Sequence, residues 1–123
     1  MIVGIGADAV DVPRFAAALA RTPRLRPRLF TDAEQVLPSG MPRSDHSLAA
    51  RFAAKVAAAK ALAVPRGSSW RDAEVLSGPH GQPLLRVTGW LSAAAAEAGV
   101  TTWHLSLTHD ADFAAAFVIV EAG

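Results

Sequence analysis

Residues 48–63 constrain this chain more than any other stretch, because they can hardly be anything but a long helix. Arg51-Phe52-Ala53-Ala54-Lys55-Val56-Ala57-Ala58-Ala59-Lys60 combines alanine, the best helix former, with Arg and Lys, which lose little side-chain freedom in a helix. Ser44 or Asp45 is placed to cap its start, and Pro65 limits its end to about Ala63. Leu48, Phe52, Val56, Ala59 and Ala63 recur at helical spacing and draw one apolar stripe. Arg51 and Lys55 are four apart and share a different face. With no acid beside them, they are expected either to form a positive edge that attracts an anion or to be an ordinary solvated face.

Around this helix the pattern reads β-α-α-α-β-β-α-β-β, an α+β fold with antiparallel pairs and one domain over residues 1–123. Ile2 to Val12 is a strand, and Pro13 suits the first turn of the helix that follows and ends at Thr22-Pro23. Thr31-Asp32-Ala33-Glu34 has the form of a capping box, so a short helix is expected after it. Pro65 to Ser69 is a loop. Asp72–Ser77 and Leu84–Val87 form a hairpin around a long turn containing His80 and Gly81. Thr88 or Gly89 opens a helix that Gly99 closes. In residues 101–108, Trp103, Leu105 and Leu107 alternate with Thr102, His104 and Ser106. Residues 109–112 are a turn, and Phe113 to Val120 is an unbroken apolar strand of the kind buried on both faces.

Composition narrows the function. Hydrophobic residues make up 51% of the chain, enough for a core and, in so small a body, for an oligomer interface. The absence of cysteine excludes disulfides, thiolate nucleophiles and cysteine-bound zinc, and it suits a reducing cytoplasm. There is no basic leader and no apolar run of membrane-spanning length, so a soluble cytoplasmic protein is expected. Residues 1–71 carry eleven of the twelve Lys and Arg but only five of the eleven acids. Such asymmetry implies an anion-attracting surface. Without a dense basic run or aromatic platforms between arginines, nucleic acid is not the expected partner.

Candidate chemistry is sparse. No phosphate-binding glycine loop, dinucleotide fingerprint or zinc-protease motif is present, and the four histidines have no metal-binding spacing. Asp8 and Asp11 lie at the far end of the first strand, where a turn or capping role is as natural as a ligand role. His104 reads as a sheet residue and His80 as a turn residue. His109, beside Asp110 at a strand end, is placed to take or deliver a proton near neutral pH.

Three blocks then occur in order: Gly4-Ile5-Gly6-Ala7-Asp8-Ala9-Val10-Asp11, Arg51-Phe52-Ala53-Ala54-Lys55-x-Ala57-x-Ala59-Lys60-Ala61-Leu62, and His104-Leu105-Ser106-Leu107-Thr108-His109-Asp110. Together they resemble holo-acyl-carrier-protein synthase, the small trimeric class of 4′-phosphopantetheinyl transferases, in its actinobacterial form. The resemblance implies an antiparallel sheet packed on the long helix. It implies a homotrimer with active sites between subunits, and transfer of the phosphopantetheine arm of coenzyme A to a serine of an acyl carrier protein. It also implies magnesium as cofactor. On the matching positions, Asp8 is the metal ligand, and Lys60 meets the pyrophosphate. Arg51, Lys55, His80, Gly81 and Pro83 line the coenzyme A site. His109 and Asp110 help deprotonate the serine. Arg14, Arg21, Arg24, Arg26 and Arg28 face the acidic carrier, since opposite charge speeds encounter.

One position departs from that pattern. Where the family carries a glutamate that binds magnesium, this chain has Val56. Three consequences compete. The metal is held by Asp8, pyrophosphate oxygens and extra waters; or Asp110 or Asp11 replaces the missing ligand; or the chain is a degenerate member that binds coenzyme A or the carrier with little catalysis.

Overall fold

The computed structural model describes residues 1–63 and 69–123, so the loop expected at Pro65 to Ser69 lies, but for Ser69, outside the described residues. The elements follow the expected order: β1 (Ile2–Asp11), α1 (Val12–Arg21), α2 (Leu25–Leu29), α3 (Asp45–Ala61), β2 (Ala73–Ser77), β3 (Pro83–Val87), α4 (Gly89–Glu97), β4 (Val100–Asp110) and β5 (Phe113–Ala122). Local chemistry sets most of the boundaries. Asp11 accepts from Arg14 N at 3.0 Å and caps α1, with Pro13 in its first turn. Ser44 accepts from Ser47 N at 3.2 Å and caps α3. Asp72, expected to open a strand, instead accepts from Trp90 N at 3.0 Å and ties down the start of α4.

The second helix is not where the capping box put it. The arginine segment itself forms α2, with Pro27 in the first turn, where its missing N–H leaves no bond unmade. The capping box does form, Thr31 N donating to Glu34 Oε1 at 3.0 Å, yet only the 3-10 turn Ala33–Gln35 follows. Glu34 is drawn inward by a stronger partner, and the backbone turns extended at Val36.

β5 lies between β1 and β4 in a three-stranded antiparallel sheet, and β2 and β3 pair separately. One face of the larger sheet packs on α3. On that face, Ala114, Ala116, Val118 and Val120 of β5 are fully buried. The other face is open in this chain: Phe113 is 56% exposed and Phe117 48%, so the strand expected to be buried on both sides is covered on one. α3 turns its alanines to the core, burying Ala50, Ala53, Ala54, Ala57, Ala58 and Ala61. The stripe read from the sequence is therefore rotated: Phe52, Val56 and Ala59 flank the buried face and Ala63 is exposed. Backbone proximity explains the rotation. A methyl group on Gly4 would collide with the carbonyl oxygen of Ala61, and one on Gly6 with that of Ala57. Strand and helix meet with no side chain between them, which only glycine on one side and alanine on the other allow.

Candidate active site

On β1 the residues facing α3 are Gly4, Gly6, Asp8 and Val10, by the two-residue period of a strand. Asp8 thus emerges beside the last turn of α3, where Lys60 Nζ stands 3.3 Å from Asp8 Oδ1 and 3.2 Å from the carbonyl oxygen of Ala7. The pair is open: the Lys60 side chain is 55% exposed. Val56 lies one turn earlier on the same edge of the helix and is half-buried. A cleft of about 490 Å³ runs from Asp8 past Asp11 and Arg14 to Phe15, Phe52 and Trp70. Phe52 stacks on Phe15 at 5.4 Å between ring centres and meets Trp70 at the same distance. Of the five arginines on α1 and α2 or between them, Arg14, Arg21, Arg24 and Arg28 are exposed and Arg26 is half-buried.

The positive edge expected from Arg51 and Lys55 is corrected. Lys55 is 1% exposed. Its ammonium donates to Glu34 Oε1 at 2.7 Å, to the carbonyl of Ala73 at 2.6 Å and to that of Trp70 at 3.1 Å. All three donors are used inside the protein, which leaves none for a phosphate. Desolvation holds this ammonium below the ordinary lysine value despite the attraction of Glu34. Glu34 Oε2 in turn accepts from Val75 N at 3.0 Å, so one carboxylate joins the capping box, α3 and β2. The acid was hidden in the sequence by distance, and its capping-box role already accounted for it.

Arg51 is also buried. It donates to Ser47 Oγ at 3.0 Å and, at 3.5 Å, to Ser77 Oγ at the base of the β2–β3 hairpin, while its Nε has no partner among the described residues. Burial, with Arg43 nearby, lowers its proton affinity to about 10, so it remains a cation at neutral pH. The hairpin carries His80 and Gly81 exposed in its turn and Pro83 half-buried at the start of β3. Gly81 sits at φ 77, which the turn requires.

β4 continues to Asp110, so residues 109 and 110 belong to a strand and the turn is Ala111-Asp112. Adjacent strand residues point to opposite faces. His109 pairs with buried Ala114 and shares the α3 side with Leu107, whereas Asp110 pairs with Phe113 on the open side. The structure does not bring these two side chains together. It brings His109 to His46 in the first turn of α3, with ring centres 6.1 Å apart and planes at 66°. Nothing in the sequence marked His46, because 63 positions separate the two rings.

Magnesium has a meagre donor set here. Among the described residues no group of three or more His, Asp or Glu side chains converges as a metal site. Asp8 already faces an ammonium, Val56 is apolar, and Asp11 is engaged in capping α1. These residues do not fit a cation held by the protein alone.

The sequence profile of the 4′-phosphopantetheinyl transferase superfamily matches residues 4–118. The holo-[acyl-carrier-protein] synthase of Salinispora arenicola is 57% identical over 121 residues, 98% of this chain and 99% of its own. The chain belongs to the holo-acyl-carrier-protein synthase family. It is thus a 4′-phosphopantetheinyl transferase, with the family's α+β fold. The solved structure of the Mycobacterium tuberculosis acyl carrier protein synthase superposes with a TM-score of 0.76 at 37% identity, covering all of both chains. That of the Helicobacter pylori holo-[acyl-carrier-protein] synthase in complex with coenzyme A gives 0.82 at 29% identity, over 95% of this chain and 99% of that one. No helix among the described residues is long and apolar enough to cross a membrane.

Proposed function

We propose that this chain, acting as one domain over residues 1–123, moves the 4′-phosphopantetheine arm of coenzyme A onto a serine of an apo acyl carrier protein. The serine oxygen bonds to the attacked phosphorus, the phosphorus–oxygen bond to adenosine 3′,5′-bisphosphate breaks, and the serine proton leaves to a base. The observation that carries this reading is the open Asp8–Lys60 pair at the head of a cleft, in a chain that matches synthases of that name from end to end. Lys60 offers an ammonium to the pyrophosphate, and an exposed lysine exchanges Asp8 for phosphate at little cost. Arg51 sets the base of the hairpin whose turn, with His80, Gly81 and Pro83, receives the nucleotide. His109 takes the serine proton. Asp110, on the opposite face, acts through other groups.

Asp8 is the carboxylate this chain would offer to magnesium, a hard cation that would supply neutralisation of charge at the pyrophosphate. With Val56 beside it, metal dependence is altered from that of a two-carboxylate site. Arg14 lines the cleft, and with Arg21, Arg24, Arg26 and Arg28 it makes a cationic stretch that suits an acidic carrier. The open sheet face, with Ile5 69% exposed on the same side as Phe113 and Phe117, suits burial against further copies in a homotrimer. A cytoplasmic location belongs to this reading, in keeping with a chain free of cysteine. The test is mass spectrometry of an apo carrier protein incubated with this chain, coenzyme A and magnesium. The carrier gains the mass of one phosphopantetheine arm; no gain at high enzyme and metal would end this reading.

A further inference from the structure

We propose that His46 is a positioning residue for His109, holding that imidazole in the orientation from which it takes the proton of the attacking hydroxyl. The inference rests on the transferase reading above and adds a residue to it. An imidazole that works as a base is ordinarily oriented by a third group. The sequence neighbour Asp110 cannot be that group, because the strand carries it to the other face beside Phe113. The aromatic ring that meets His109 among the described residues is His46, tilted toward edge-to-face at 6.1 Å, inside the range where aromatic pairs attract.

The two rings are held unequally. His109 stands two residues before a two-residue turn, whose Ala111 adopts φ 50, a conformation that disfavours a side chain. His46 stands in the first turn of a 17-residue helix, capped by Ser44 and pinned in its middle by the Lys55–Glu34 pair. The helix therefore supplies the fixed point, and the strand end is referred to it. Both rings are exposed, so a carrier serine can reach the pair from solvent. In the step itself the hydroxyl proton passes to a His109 ring nitrogen as the serine oxygen bonds to phosphorus and the bisphosphate leaves.

Steady-state transfer by His46→Ala and His46→Phe, with the intact protein, tests this. His46→Ala lowers kcat about three- to tenfold, the worth of one aromatic contact, and leaves the KM for coenzyme A unchanged. His46→Phe keeps a ring in place and recovers most of the lost rate. In parallel, the imidazole carbon-bound proton resonances of His109, assigned by their loss in His109→Gln, shift in His46→Ala. An unchanged kcat in His46→Ala overturns the proposal, as does a His46→Phe enzyme no faster than His46→Ala. Should the unaltered chain transfer nothing, the transferase reading has failed instead. The resonances then decide alone: if they do not move, His46 does not set the His109 ring.

Discussion

Lys55 and Lys60 stand five residues apart on one helix and use their charge in opposite ways. Lys55 is sealed against Glu34, both side chains fully excluded from solvent, with every donor taken. Lys60 meets Asp8 at 3.3 Å, largely in water. The difference teaches which cation is structural. Burying an ion pair costs desolvation that only a full set of hydrogen bonds offsets, and a group so satisfied has nothing left for a ligand. An exposed pair is worth little to the fold, and for that reason it can be broken and remade by a substrate.

Breaking the buried side has the largest effect. Glu34→Gln leaves an ammonium buried without its counter-ion and destabilises the fold by about 3–5 kcal/mol in chemical denaturation. Adding Lys55→Met to it recovers part of that loss; a double variant as unstable as the sum of its singles would show that the pair is not coupled. The pH dependence has a definite sign. Because burial lowers the Lys55 proton affinity, the unfolded chain binds that proton more tightly, and this residue's contribution to stability improves as pH rises from the folded value toward the ordinary one. Gly6→Ala strikes the β1–α3 seam that sets Asp8 beside Lys60. It costs about 1–3 kcal/mol or more, read as a fall in thermal midpoint, because carbonyl backbone cannot move aside as a side chain would.

The exposed side answers to smaller changes. Val56→Glu puts a second carboxylate one turn from Lys60 and lowers the magnesium concentration for half-maximal transfer by about tenfold. An unchanged metal titration would mean that another group already fills that role. Asp8→Asn shifts folding stability by less than about 1 kcal/mol, by the same denaturation measurement, while transfer falls steeply. A large loss of stability there would erase the contrast between the two lysines.

Much of the fold could be read from the chain because its signals were local. Asp11, Ser44 and Gly99 mark helix ends through caps within a few residues of themselves. The element order, the hairpin and the alternation of β4 follow from short periods. What could not be read was long-range. The rotation of α3 depends on Gly4 and Gly6 pressing on it from another element, which no helical periodicity contains. The position of α2 turned on Pro27 being acceptable in a first turn, and on Glu34, while still bonded to Thr31, also reaching inward to Lys55. Of the site, the Asp8 and Lys60 positions were legible through the resemblance. The parting of His109 from Asp110 required only that β4 be extended two residues into the supposed turn.

The seam between β1 and α3 has a mechanical consequence. Most helices ride on sheets through a layer of side chains that can flex, so small errors in one element are absorbed before they reach another. Here the two backbones bear directly on each other at Gly4 and Gly6, and Asp8 follows two residues later. There is no compliant layer to take up play. The spacing of the two backbones from which the acid and the lysine spring is therefore set by direct backbone contact, with no side chain between them to adjust it.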